Sequence, residues 1–179
     1  MKNLLFLLII AASTVSFYSC NNVNNSSAWE NANKDAYNAI TKNTDYKEVL
    51  TATGPTGVYR KIINTGTGTE YPLQTSRVKA LYQGTYYDGT FFDPGTSQSN
   101  IPDTLRLDGT MYNGAVAISR GLSFAIQQMQ VGDKWEIWVP YYLGYGDVDY
   151  YTTTTYTLFV KAYSTLVYQV ELVDITQYP

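Results

Sequence analysis

The chain has 179 residues, 45% of them apolar and 15% charged, enough hydrophobic material for one packed domain with appendages. Its net charge of −3 and its twelve scattered Lys and Arg residues leave no basic stripe of the kind a nucleic-acid surface needs. With no histidine and a single cysteine, Cys20, the chain lacks the commonest general base, the usual zinc ligand, any Ser-His or Cys-His nucleophile pair and any intrachain disulfide.

At the start, Lys2 is followed by a continuous apolar run, Leu4 to Ala12, and then by Phe17-Tyr18-Ser19-Cys20. A basic start, a short apolar stretch and a small residue before a cut describe a secretory signal over residues 1–20. A membrane-spanning helix needs roughly twenty apolar residues, and this run is shorter. Ser19-Cys20 resembles a bacterial lipoprotein lipobox, with Phe17 in place of the usual Leu. That likeness implies lipidation of Cys20, and several acyl chains together anchor stably. The alternative is an ordinary signal peptide with Cys20 as a bystander; lipidation is favoured because Cys20 is the chain's single cysteine and sits at the processing point. Absence of an acidic cluster after Cys20 favours the periplasmic side, at the outer membrane.

Residues 21–53 read as a polar tether, NNVNNSSA, followed by a short helix with Trp29, Ala32, Ala36, Tyr37 and Ile40 on one face. TATGPTG, Thr51 to Gly57, is a breaker cluster and the expected boundary of a domain over 54–179. Within that domain, Val58–Ile63 and Val78–Tyr87 alternate as strands, and Asp88-Gly89 reads as a hairpin turn. Thr90–Phe92 resumes a strand, 93–103 is a loop, and Thr104–Leu107 is a short strand. After Asn113-Gly114, Ile118, Leu122, Ala125, Ile126 and Met129 form one apolar helical stripe, ended by Val131-Gly132-Asp133. Trp135–Val139 alternates as a strand, 141–159 is a Tyr- and Thr-rich loop with room for its own hairpin, and Leu166–Ile175 is a last strand, apolar on both faces towards its end. Many strands with one helix among them predict an α+β fold, an antiparallel sheet wrapped around that helix.

Four ordered signatures lie on this pattern. They are Tyr82, Gly84, Asp88-Gly89 and Phe92-Asp93; Gly121 to Met129-Gln130-Val131-Gly132; Pro140 with Tyr145-Gly146; and Thr165 to Leu172. In this order and spacing they resemble the FKBP-type peptidyl-prolyl isomerases, and GVYRKIINTGTG from Gly57 is similar to the opening strand of the macrophage-infectivity-potentiator branch. The resemblance spans about Gly57 to Ile175 and implies a five- to six-stranded antiparallel half-barrel around one short helix. It implies isomerisation of X–Pro bonds without any cofactor, proline-containing polypeptide clients, and affinity for macrolide inhibitors.

Carried over residue by residue, Tyr82, Phe92 and Tyr168 become aromatic walls, Ile118 and Val160 aliphatic walls, and Leu122 the floor. Asp93 becomes the buried polar contact. The backbone N–H of Ser119 and the hydroxyl of Tyr145 become donors to substrate carbonyls. The chain departs from the family at Leu122, where Trp is usual, at Ile118-Ser119, where Val-Ile is usual, and at Val160-Lys161-Ala162, where Ile-Pro-Pro is usual. The loop after Asp147 is also longer than usual.

On pattern alone, Tyr82, Phe92 and Tyr168 read as core on alternating strands, Ile118 and Leu122 as core on the helix, and Asp93 as a turn former before Pro94. The same fold without turnover, binding clients through the Tyr-rich loop as a module or chaperone, is the alternative reading. A glycan-binding surface on that loop is a further one. Asp147/Asp149 and Asp103/Asp108 are pairs of carboxylates without the spacing of a known calcium loop.

Overall fold

In a computed structural model of the protein, the described residues are 22–96, 98–109, 116–152 and 155–177, so Cys20 and Asn113-Gly114 lie outside them. In chain order the elements are α1 (Asn22–Lys42), β1 (Lys47–Thr51), β2 (Gly54–Asn64), β3 (Arg77–Tyr86), β4 (Phe91–Asp93), β5 (Asp103–Arg106), β6 (Val116–Ala117), α2 (Arg120–Ile126), β7 (Lys134–Val139), β8 (Tyr150–Tyr151), β9 (Leu158–Val160) and β10 (Leu166–Gln177). The main sheet runs β1-β2-β7-β10-β3-β5-β6, with β4 on β3 and a separate β8-β9 ribbon. Every pairing is antiparallel except β5 with β6. The sheet does not close, and α2 packs inside its curve against β1, β2 and β7. This is the expected α+β arrangement, with the sheet extended by β1 and by two short strands.

Alternation explains the layering. Val78, Ala80 and Tyr82 on β3, Trp135, Ile137 and Val139 on β7, and Leu166, Tyr168, Val170 and Leu172 on β10 are all buried. Cross-strand register aligns them in rows: Tyr82 with Val170 and Trp135, and Gly84 with Tyr168 and Ile137. Each of the Val, Leu and Ile side chains contributes about 1.5–3 kcal/mol when taken out of water. Only this face is covered. Val173, on the opposite face of β10, stays exposed, so the strand is apolar on both faces towards its end without being buried on both.

Three expectations are corrected, and one strand went unread. TATGPTG is no boundary but the turn of the β1–β2 hairpin, with Thr51 opposite Gly54 and the Thr51 hydroxyl donating to the Gly54 carbonyl at 3.1 Å. KEVLT was illegible as a strand because Val49 alone is buried and Leu50 is exposed. The polar NNVNNSSA stretch is helical from Asn22, not a tether. Asn and Ser disfavour helix interiors only weakly, and an established helix propagates at low cost.

The apolar stripe from Ile118 to Met129 exceeds the helix. Ser119 caps α2 by accepting the Leu122 N–H at 3.4 Å, which leaves Ile118 ahead of the helix. At the other end, Gln128 and Met129 donate to carbonyls three residues back, and the helix closes in a tight turn.

Candidate functional site

Strand β3 turns at Asp88-Gly89, where Gly89 has φ +85° and Tyr86 accepts its N–H at 3.0 Å. The turn returns β4 along β3, with Asp93 opposite Gly84. Phe92 then lies over the bare Cα of Gly84; a Cβ there would meet the ring's Cζ at 2.6 Å. Because Gly84 is also the cross-strand neighbour of Tyr168, the vacated space brings Phe92 against Tyr168, centroids 5.6 Å apart and nearly perpendicular. A continuous chain of rings follows. Phe92 meets Phe159 at 5.8 Å, Phe159 meets Tyr145 at 5.7 Å, and Tyr145 meets Tyr150 at 5.0 Å. The antiparallel pairing of Tyr150 with Val160 holds Tyr150 and Phe159 on the β8–β9 ribbon.

Asp93 stands at the edge of this chain. Its carboxylate accepts the Gly95 N–H at 2.9 Å, and the hydroxyl of Tyr82 lies beside it. Burial pushes the carboxyl above the usual carboxylate range and the charge of Asp103 adds to the rise, while the two donors pull it back. Burial likewise raises the Tyr82 and Tyr168 hydroxyls, and Tyr145 is pushed up to about 12, first by burial and then by Asp93. These phenols stay protonated at neutral pH and serve as donors. The Tyr168 hydroxyl faces both Tyr145 and Ser119.

The nine sequence-derived positions fall into three groups. Tyr82 with Asp93, and Phe92 with Tyr168, Tyr145 and Ser119, are connected as described. Leu122 and Val160 are 1% exposed and belong to the same buried cluster as Tyr82 (7%) and Tyr168 (3%). Ile118 packs on the rim of that cluster and lines an outer groove with Arg120 and Phe124. Phe159, central to the ring chain, was missed; its one signal was the apolar triplet Leu158-Phe159-Val160 inside a polar loop.

The tyrosines divide. Tyr145 and Tyr150 join the ring chain, whereas Tyr141, Tyr142 and Tyr163 pack together beside α1. The Asp149 carboxylate accepts the Ala162 N–H at 2.8 Å, and Asp108 is ion-paired with Arg106. Among the described residues, no three His, Cys, Asp or Glu side chains gather in a metal-binding group.

Asp93 yields a pH prediction. A carboxyl with a raised value in the fold contributes stability that is complete below the unfolded aspartate value of about 3.9 and is lost as pH rises through the folded value. Asp93→Asn keeps an acceptor for Gly95 and removes this ionisation. Its denaturation midpoint, followed from acid to neutral pH, should decline less than that of the wild type. Parallel profiles would assign the titration to another group.

An open antiparallel sheet cupping one short helix, with rings from several strands gathered beside a buried carboxyl, is the architecture of a prolyl isomerase domain. The family model for FKBP-type peptidyl-prolyl cis-trans isomerase matches residues 68–173. The chain is 32% identical over 119 residues to the FKBP-type 22 kDa peptidyl-prolyl cis-trans isomerase of Escherichia coli, covering 66% of this chain and 50% of that protein. It is 35% identical over 123 residues to the outer membrane protein MIP of Legionella longbeachae, covering 68% and 47%. Among solved structures, FkpA from Escherichia coli aligns with TM-score 0.66 at 25% identity, covering 88% of this chain and 63% of FkpA. A peptidyl-prolyl cis-trans isomerase from Pseudomonas syringae pv. tomato aligns with TM-score 0.64 at 25% identity, covering 85% and 96%. The chain belongs to the FKBP-type peptidyl-prolyl cis-trans isomerase family. It spans about half the length of the curated relatives it matches.

Proposed function

We propose that this protein isomerises X–Pro bonds of exported polypeptides, acting as a folding catalyst at the envelope and held by lipid on Cys20. The observation that carries the activity is the chain of rings from β4, β9 and β10 beside the half-buried Asp93 carboxylate. The barrier to turning an X–Pro amide is about 18–20 kcal/mol, set by its partial double bond. At the twisted midpoint that resonance is lost and the group is less dipolar. An apolar, water-excluding site formed by Tyr82, Phe92, Val160 and Tyr168 over Leu122, with Ile118 at its rim, would therefore disfavour the planar amide more than the twisted one. Donors fixed at the Ser119 N–H and the Tyr145 hydroxyl bind the twisted form preferentially, and only such differential binding lowers a barrier. No proton is transferred, so neither base nor cofactor is needed.

The leader pattern ending at Cys20 supports export and anchoring, as does likeness to a relative named as an outer membrane protein. Membrane association that survives Cys20→Ser would remove the anchor from the proposal. For activity, a protease-coupled proline-peptide assay compares the full chain with Tyr82→Ala/Asp93→Ala. Turnover should fall by about a hundredfold, since losing wall and polar contact together removes about 3 kcal/mol of transition-state binding. An unchanged rate would refute the assignment. The near-complete burial of Leu122, Val160 and Tyr168 favours a second reading, a binding module without turnover. It is distinguished by suppression of client aggregation with no isomerisation above background.

A further inference from the structure

We infer that α1 is a positioning element of the isomerase site, with Trp29 and Asn33 setting the placement of its ring wall; the inference rests on the isomerase reading above. The 161–165 connection leads from Phe159 and Val160 on β9 into β10, which carries Tyr168. Several of its polar groups are satisfied by α1 and not by the sheet. The Trp29 indole N–H donates to the Ala162 carbonyl at 3.0 Å. The Thr165 N–H donates to Asn33 Oδ1 at 2.7 Å, and the Thr165 hydroxyl donates to the Asn33 carbonyl at 3.2 Å. Asn33 is 1% exposed, and its own amide donates back to the Trp29 carbonyl at 2.9 Å, which joins the two braces.

A second path runs through rings. Trp29 meets Tyr86 edge-on at 5.3 Å, and Tyr86 meets Phe92 at 5.5 Å. The Lys161 ammonium sits 4.6 Å above the Trp29 ring while its backbone N–H donates to the Tyr86 hydroxyl at 3.3 Å. Trp29 is thus bound to both ends of the wall, to Phe92 through Tyr86 and to Phe159-Val160 through the connection.

A buried backbone N–H is costly to leave without a partner, so Thr165 must move if Asn33 withdraws. Movement there is transmitted along β10 to Tyr168. Displacements near an ångström at reacting geometry cost up to about a hundredfold in rate. A merely structural helix would instead lower stability and leave the folded site unchanged.

The test uses the full chain with Trp29→Ala, Trp29→Phe and a control on the exposed face of α1, Asp35→Ala. Prolyl turnover is measured well below the unfolding temperature, beside the NMR signals of the Val160 methyls and the Tyr168 amide. We expect turnover to fall about tenfold or more in Trp29→Ala with both signals displaced. Trp29→Phe, which keeps the ring and loses the N–H, should fall in between, and Asp35→Ala should match the wild type. A Trp29→Ala protein that melts earlier yet turns over normally with unmoved signals overturns the inference. Where Trp29→Ala does not fold, Trp29→Phe and Lys161→Ala carry the same comparison, and normal turnover in both overturns it. A wild type without turnover defeats the isomerase reading separately. In that case displaced Val160 and Tyr168 signals still support positioning by α1, and unmoved ones overturn it.

Discussion

Phe92→Ala should lower prolyl turnover by about a hundredfold, the equivalent of roughly 3 kcal/mol at 1.4 kcal/mol per tenfold. The ring contacts Tyr86, Phe159 and Tyr168 at centroid distances of 5.5, 5.8 and 5.6 Å. Such pairs are worth about 0.5–1.5 kcal/mol each beyond their buried area, so this one side chain holds the wall in register. Phe92 is half-buried, and its removal should cost less than the about 3–5 kcal/mol of a fully buried ring. Gly84→Ala offers an independent approach. Its Cβ would lie 2.6 Å from Cζ and 2.9 Å from Cε1 of Phe92, so the ring must leave its place. Gly84→Ala should therefore reproduce most of the activity loss of Phe92→Ala. The double variant should be no worse than Phe92→Ala alone, because the new methyl then has nothing to strike. Contacting residues are where additivity fails. Additive losses in the two variants would mean that Gly84 acts through something other than the ring, and the argument for the wall would fall.

How much of this was legible in the sequence follows from what each signal depends on. Strands with one buried face announce themselves by alternation, and β3 and β7 were read to within a residue or so of their ends. The Asp88-Gly89 turn was legible because a backbone with positive φ restricts residue choice. Strand β1 was not, since five residues with one buried side chain hold no period. Helix α2 was overextended because Ile118 and Met129 continue its apolar spacing while lying in the flanking turns. Periodicity reports burial and is silent on where the hydrogen bonds stop.

The site divides in the same way. Tyr82, Phe92, Asp93 and Tyr168 sit in signatures fixed by strand and turn geometry. Phe159 could not be singled out, because the rings it touches include Phe92, 67 residues before it, and Tyr145, 14 before it. Asn33 shares a helix face with Trp29 and Tyr37, four residues to either side. A lone amide among apolar neighbours at that spacing reads as an interruption until its partner Thr165, 132 residues away, is known.

Leu122→Trp should destabilise the protein by about 1–3 kcal/mol and should not raise turnover. The family resemblance implies an indole at this position, and the substitution tests whether the core around Leu122 has room for one. Leu122 is 1% exposed, and Tyr168, Phe92, Phe159 and Tyr145 fill the space around its cluster. A ring inserted on α2 must push Tyr168 along β10 or lift the ribbon that carries Phe159. The second route is cheaper, because among the described residues β8 and β9 pair with each other and with no other strand, and it opens the ring wall. Leu122→Ala attacks from the opposite side. Deleting a fully buried leucine should cost about 2–5 kcal/mol, a large part of the 5–15 kcal/mol available to an ordinary domain. Urea midpoints should drop for both variants with m unchanged, while turnover in the folded fraction falls more for Leu122→Trp. A Leu122→Trp protein that gains both stability and activity would mean that the floor is empty, and the surrounding rings would then be lining a deeper cavity than their contacts describe.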